Sequence, residues 1–524
     1  MNYADLFRVT LPETALEVAA LLVLVVDLGF LRKAALKTRA AVAALLGVAG
    51  CGAALWALRL QGNDWSTLSF ESFGPALLVT GTYVKAAQTG ILVLTALTLL
   101  LLIDSDFTRH VGEFVVVVLM AASGGLLVAG AQDLLVIFVG LELLSIGLYI
   151  MTAFAKSSSK SAEAAMKYYL FGGMSAAFLL FGFSYFYGLT GSTNLSEIQF
   201  VIAESGPSPL FYVAWILVVA GLGFKVAAVP FHLWAPDTYE GAPAPAAAFI
   251  ASVSKVASFT LLLTILQTWM MYQGQFGYPK YLVDKILIHS DQTWFPLATM
   301  LLVVAAASMI VGNLAALAQV SVRRLLAYSA IAHAGYILLG VAVYKMHTGN
   351  ETHIFETLLP VVISEKAVLY YVLTYGLTTI GAFGVVSVVE RATGSDRLDA
   401  FLGLHKRNPL LAAVLLVLFL SLAGIPPLVG FWAKFNLFAA VLGVSAGPVP
   451  FALVALAVAL SAVSLYYYLQ VLKRAYVMPA VDESPIKAHP VTLAVLVAIA
   501  AAVVVLGCFP ALLQGWIESF YPPM

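Results

Sequence analysis

Lys225, Lys255 and Lys434 each lie deep inside a long apolar segment, Glu142 is the one carboxylate near the middle of such a segment, and His333 lies about nine residues into another. Lys167 enters a further one by a single turn. An ionised side chain at the centre of a bilayer costs about 3 kcal/mol or more, so groups like these line ion pathways and find partners there. The deep cations are all lysine. Arginine keeps its charge under any burial, whereas a buried amine can lose its proton near neutral pH. A group meant to hold and release a proton is therefore lysine, and proton transfer is the chemistry open to this set. Glu142, in FVGLELLSIGLY, needs a facing cation to stay ionised, and Lys225 is the expected one. An imidazole titrates near neutrality and suits a relay. For His333, in SAIAHAGYIL, the alternative is a packed, hydrogen-bonding ring. Lys167 stays open between relay and surface lysine. Lys85 and Lys366 lie near segment ends and are expected to snorkel.

Two interruptions position these amines. In GLGFKVAAVPFHLWAPDTYEGAPAPAAAFIASVSK (221–255), Pro230 follows Lys225 by five residues and must stop the helix, because it lacks an N–H and its ring crowds the preceding turn. A polar, proline-rich connection follows, with His232, Trp234, Asp237, Glu240, Pro243 and Pro245, and the next apolar segment carries Lys255. The second interruption is LAGIPPLVG (422–430), where Gly424, Pro426 and Pro427 precede Lys434. A kinked but continuous helix is the alternative there. A discontinuous helix frees backbone groups that must find water or polar partners, which is why such breaks line cavities.

The rest of the chain is built to hold such spans. It has 524 residues, 62% of them hydrophobic and 10% charged, with mean hydropathy +0.97. Soluble domains are about one-quarter charged, so the expected fold class is all-α, a polytopic membrane protein forming one integral membrane domain. Spans need about 20 apolar residues. Fourteen are expected, near 14–31, 40–58, 76–103, 114–130, 134–153, 164–189, 209–229, 244–271, 296–318, 324–344, 361–390, 409–442, 450–472 and 491–514. The stretch between Met271 and Phe295 reads as a surface loop. On this count alternate loops hold most of the cations (Arg32, Lys33, Lys160, Arg323, Arg324, Arg391 and others), against Arg8, Arg59, Lys280, Lys285 and Lys345 on the other side. The cation-rich side is cytoplasmic, so both termini are expected outside. The first segment is not a cleaved signal, because its positive charges follow it. Zero net charge argues against nucleic-acid binding. Cys51 and Cys508 lie in apolar runs without spaced partners, so no metal or iron–sulfur site is expected.

A repeat is also legible. KYYLFGGMSAAFLLFGFSYFYGLTGSTNL (167–195) is similar to LYYVLTYGLTTIGAFGVVSVVERATGSDRL (369–398): a Tyr-Tyr pair, then Thr-Gly-Ser, then Leu. Each copy precedes a broken span. Five spans separate them, so the copies should cross the membrane in opposite directions, as in inverted-topology transporters.

GFKVAAVPFHLWAPDTYEGAPAP with Lys255 following, RRLLAYSAIAHAGYIL and LSLAGIPPLVGFWAKF resemble the N-type antiporter-like membrane subunits of the bacterial proton-pumping NADH:quinone oxidoreductase, respiratory complex I. The resemblance covers roughly residues 75–475. Ala244-Pro245-Ala246 and Ala330 depart from the family's frequent hydroxyl residues without touching a titratable position. The resemblance implies inverted five-helix repeats (about 114–271 and 296–472, flanked by helices 1–3 and 14) with helices 7 and 12 broken. It matches Glu142 and Lys225 to a glutamate–lysine pair, Lys255 to the central lysine and Lys434 to the outlet lysine, and Lys167 and His333 to relay positions. An M-type subunit should carry glutamate at position 434, and an L-type a long C-terminal lateral helix. NADH, FMN, iron–sulfur clusters and quinone are implied for partner subunits and no cofactor for this chain. The implied partners are a neighbouring M-type subunit and small membrane subunits, in a bacterial inner membrane. GLGFKV (221–226) lies in a membrane helix, so it is no nucleotide loop. The alternatives are a subunit of a multi-subunit cation/proton antiporter, which shares the architecture, and a structural spacer, which would have no use for three deep lysines.

Overall fold

The computed structural model describes residues 7–61, 77–79, 81–271, 280–342, 354–444, 447–480 and 482–521. Among these the chain is almost entirely helical, with three isolated β-bridges and no strand. Helices of eight residues or more are numbered in order. They are α1 (Leu11–Val25, continuing as a π-helical turn, Val26–Phe30), α2 (Leu36–Leu60), α3 (Thr82–Leu102), α4 (Val111–Gly130), α5 (Leu134–Thr152), α6 (Ser159–Thr190), α7 (Leu195–Ser205), α8 (Pro209–Val226), α9 (Trp234–Gly241), α10 (Ala244–Ala251), α11 (Val253–Met271), α12 (Lys280–Leu317), α13 (Val322–Ala342), α14 (Ile354–Thr393), α15 (Pro409–Ala423), α16 (Val429–Val444), α17 (Pro448–Tyr476), α18 (Pro490–Cys508) and α19 (Pro510–Glu518). Twelve are apolar and long enough to cross a membrane once α10 and α11 are taken as one span, and α15 and α16 are shorter apolar helices. The protein is a multi-pass membrane protein.

The starts follow local chemistry. Asp133, Ser158, Asn194, Ser208 and Asn408 accept backbone N–H groups as N-caps, which supplies acceptors for donors that have none inside the helix. The long helix α14 is central, packed on α3, α10, α11, α13, α15, α16 and α18. The α10–α11 span is wholly enclosed by protein.

Four sequence expectations change. The expected loop between Met271 and Phe295 is helical from Lys280, so α12 begins well before the apolar run; residues 272–279 and Lys345 lie outside the described residues. The proline-rich connection contains a helix, α9, because Pro236 falls in its first turn, where a missing N–H costs nothing. The span carrying Lys255 is itself interrupted, at Ser252 (φ −115°, ψ −76°), so among the described residues breaks occur in three spans rather than two. Lys85 is buried in the first turn of α3 rather than snorkelling, and the Lys366 amine lies 4.8 Å from the centre of the Tyr521 ring. Glu365, near the start of the expected span 361–390, is 1% exposed and accepts from Tyr521 Oη at 2.7 Å.

Gly430 fixes how closely the two halves of the last break approach. A β-carbon there would collide with the Ser421 carbonyl oxygen, whereas one at Gly443, on the same helix, meets no atom within 4 Å. Gly430→Ala should destabilise the protein by about 1–3 kcal/mol, read as a lower thermal midpoint in detergent. Gly443→Ala should be neutral or slightly stabilising.

Candidate functional site

The breaks after α8 and after α15 are built the same way. α8 ends with Ala227 in the left-handed region (φ 59°), Ala228 N–H bonded to Gly223 O at 2.8 Å and Ala227 N–H to Phe224 O at 3.0 Å. α15 ends with Gly424 (φ 88°), Ile425 N–H bonded to Leu420 O at 3.0 Å and Gly424 N–H to Ser421 O at 2.9 Å. These are paired Schellman closures, and they end α8 four residues before Pro230. The carbonyls left over are what the lysines exploit.

At the first break Lys225 is in the last turn of α8. Its amine donates to Ser145 Oγ at 2.5 Å and lies 3.8 Å from Glu142 Oε1. Glu142 and Ser145 are three residues apart on α5, hence on one face. The Glu142 side chain is 27% exposed, on the stripe that also exposes Leu135, Val139, Ile146 and Ile150. At the last break the Lys434 amine donates to Leu422 O (3.2 Å), Ala423 O (2.9 Å) and Ser461 Oγ (2.7 Å). It therefore caps the freed end of its own broken span.

Lys255 follows the interruption at Ser252 by three residues, and its amine donates to Ala330 O at 2.5 Å. It lies 5.4 Å from the centre of the Tyr375 ring. His333 packs on the same ring at 4.8 Å, and its Nδ1 shares a hydrogen bond of 2.8 Å with Tyr371 Oη. On its other side His333 meets the Tyr336 ring edge-on at 5.8 Å, and the Lys434 amine lies 5.4 Å from the centre of that ring. Lys255, His333 and Lys434 thus form one buried line linked by tyrosines. The Tyr336 hydroxyl accepts from Asn313 Nδ2 at 3.0 Å, and Asn313 Oδ1 accepts from Tyr467 at 3.2 Å. These tyrosines and Asn313 were missed from sequence, although the Tyr370-Tyr371 and Tyr467-Tyr468 pairs were the visible signal.

Lys167 is elsewhere. Its side chain is 40% exposed and pairs with Glu163 (2.6 Å) and Asp237 (2.7 Å). Asp237 also binds Arg324 (2.6 Å), which reaches Glu240 (3.0 Å). This network ties α6 to α9 and α13 at the helix ends. Asp237 lies between spans. Partial burial alone would raise its pKa, but hydrogen bonds from Lys167 and Arg324 outweigh that and hold it below the usual carboxylate range. No group of three or more His, Cys, Asp or Glu side chains that could hold a metal ion occurs among the described residues.

Residues 131–283 and 280–462 match the family described as NADH:quinone oxidoreductase/Mrp antiporter, TM. A relative from Acidobacterium capsulatum, NADH-quinone oxidoreductase subunit N 2, is 45% identical over 533 aligned positions, covering 99% of each chain. The chain belongs to the NADH:quinone oxidoreductase/Mrp antiporter family. A chain of respiratory complex I from Thermus thermophilus with bound aureothin superposes with TM-score 0.73 at 32% identity, covering 96% of this chain and 98% of that one. A chain of the Mrp complex from Dietzia sp. DQ12-45-1b shares the fold (TM-score 0.77, 21% identity, 100% and 98% covered).

In this antiporter-family chain the sequence repeat has a local structural counterpart. Gly191 and Gly394 are both left-handed (φ 71° and 73°). Thr190 and Thr393 each turn their hydroxyl back to the carbonyl four residues earlier, at 2.7 and 2.9 Å. Leu195 N–H and Leu398 N–H each bond, at 2.9 Å, to the loop two helices back (Gln132 O, before α5, and Val320 O, before α13). The amines, the imidazole and the tyrosine hydroxyls can each take or give a proton without a cofactor.

Because the folded-state pKa of Asp237 is depressed, its network stabilises the fold above the ordinary carboxylate range near pH 3.9, and loses that contribution as pH falls through the lower folded value. Asp237→Asn should therefore cost roughly 1 kcal/mol or less at pH 7, since the network is half exposed. Thermal melts across pH should show the difference from wild type shrinking in acid.

Proposed function

We propose that this chain is the N-type proton-translocating membrane subunit of an NADH:quinone oxidoreductase, working beside other antiporter-like and small membrane subunits in a bacterial inner membrane. The observation that carries the proposal is the buried line Lys255–His333–Lys434, linked through Tyr375 and Tyr336, beside a Lys225–Glu142 pair at a helix break. NADH, FMN, iron–sulfur and quinone chemistry belong to partner subunits. Energy released there reaches this chain as a change in charge or hydration. Lys225 is held between Ser145 and Glu142; unit charges about 4 Å apart interact by about 4 kcal/mol at an effective dielectric near 20. Weakening that pair frees the Lys225 charge to act on Lys255, which passes its proton through His333 to Lys434 and on to the outer side. Lys167, in its half-exposed network, holds α6 against the helix-end cluster and lies off this line.

The chain forms one integral membrane domain of two inverted repeats (about 114–271 and 296–472), with both termini on the periplasmic side. The matched Thr-Gly-Ser turns and the paired Schellman breaks support the repeats, and the uneven distribution of loop cations supports the orientation.

Lys225→Ala or Glu142→Gln should leave complex assembly intact and slow NADH-driven proton pumping in inside-out vesicles by roughly tenfold or more. Lys434→Ala should abolish it. Pumping at the wild-type rate in Lys225→Ala would defeat the proposal, and cation/proton exchange by the purified chain alone in liposomes would favour a free-standing antiporter instead.

A further inference from the structure

Beside the line from Lys255 to Lys434 lies a buried amide that the proposed transfer does not use. Asn313, on α12, is 0% exposed, and Tyr336 and Tyr467, from α13 and α17, are enclosed with it. Asn313 Nδ2 donates to Met309 O at 2.8 Å and to Tyr336 Oη at 3.0 Å, and Asn313 Oδ1 accepts from Tyr467 Oη at 3.2 Å. Two glycines make the reach possible. A β-carbon at Gly312 would lie 2.5 Å from Ala332 N, and one at Gly335 would lie 2.7 Å from Met309 N. Gly312 precedes Asn313 and Gly335 precedes Tyr336, so the two backbones nearly touch where the amide meets the phenol.

Chemistry fixes the direction of each hydrogen bond at Asn313. The Met309 carbonyl can only accept, so the atom facing it is the amide nitrogen; turning the amide over would set two acceptors against each other. That nitrogen has two hydrogens, and both are used, one on Met309 O and one on Tyr336 Oη. An amide nitrogen accepts nothing, so Tyr336 cannot give its own hydrogen to Asn313. The hydrogen is left for an acceptor elsewhere. The ring that carries it has His333 edge-on at 5.8 Å and the Lys434 amine 5.4 Å from its centre, and Phe438, edge-on at 6.0 Å, closes a third side.

We propose that Asn313 is a positioning residue for proton transfer: by donating to the Tyr336 oxygen, it keeps the Tyr336 hydroxyl a hydrogen-bond donor to the step between His333 and Lys434. The proposal rests on the proton-translocating function. Asn313 itself gains and loses no proton and acts only through Tyr336. Asn313→Asp reverses the arrangement. Ionised or neutral, the carboxyl carries at most one hydrogen, which the Met309 carbonyl claims. Tyr336 must then donate to the carboxyl, and its hydrogen is turned off the line.

The test measures NADH-driven pumping by the intact complex in inside-out vesicles. Asn313→Asp should assemble in normal amounts and pump roughly tenfold more slowly, with a displaced pH profile, which a packing defect would not produce. Tyr336→Phe keeps the ring, loses the hydroxyl and should slow pumping to a similar degree. The double variant should be no slower than the slower single one, because residues acting through one hydroxyl are not additive. If Asn313→Asp does not assemble, Asn313→Leu, similar in shape and without a donor, gives the same comparison with Tyr336→Phe. Wild-type pumping in either single variant, multiplied losses in the double variant, or slowed pumping with an unchanged pH profile in Asn313→Asp would overturn the positioning role. Lys434→Ala separates the two levels. Wild-type pumping in that variant defeats the proposed function itself, whereas its loss together with any of those results defeats only the role of Asn313.

Discussion

An amine enclosed by apolar helices must find oxygen acceptors, and a regular helix has already used its own. Burial without such partners is too costly to persist. The structure meets that constraint in three ways. Lys434 takes the two carbonyls released by its own broken span, together with Ser461. Lys225, in the last turn before a break, takes a serine and a carboxylate from α5. Lys255 takes the Ala330 carbonyl. Each amine is therefore tied to a particular piece of backbone or one side-chain pair, and changing its charge changes what holds that piece.

The breaks do double duty as a result. They end helices without leaving donors and acceptors idle, through the paired closures at Ala227 and Gly424, and they present residual oxygen atoms at the depth where the cations lie. The aromatic rings between the amines do the complementary work. Tyr375 and Tyr336 each contact two of the three groups on the buried line. They offer a polarisable face to a cation and a hydroxyl that can hydrogen-bond.

Electrostatics divides the molecule by depth. At the helix ends the ion pairs are dense and mixed in sign, linking Lys160, Glu163, Lys167, Asp237, Glu240 and Arg324. Their strength is limited by water, and their role is to clamp α6, α9 and α13 together. In the interior the charges are few, and Glu142 and Lys225 meet within one small polar cluster. Lys167 is bound into this network directly, by Glu163 and Asp237. Depth in the sequence and depth in the membrane are therefore not the same measure.

Much of this was fixed by composition and spacing. A chain so poor in charge, with apolar runs of membrane length, has to be a helical bundle in lipid, and prolines at 230, 426 and 427 have to stop helices. The pairing of Glu142 with Lys225 was also legible, because a lone mid-span carboxylate needs a cation. Other features were decided only by packing. The break at Ser252 carries neither proline nor glycine, so no local signal announces it; its neighbours impose it. The same holds for which carbonyl each lysine reaches, for the place of His333 between Tyr375 and Tyr336, and for the burial of Glu365 beneath Tyr521. Periodicity and propensity describe one helix at a time. A hydrogen bond between α11 and α13, or a ring shared by two cations, depends on how helices far apart in the chain cross, and that is set by the whole bundle.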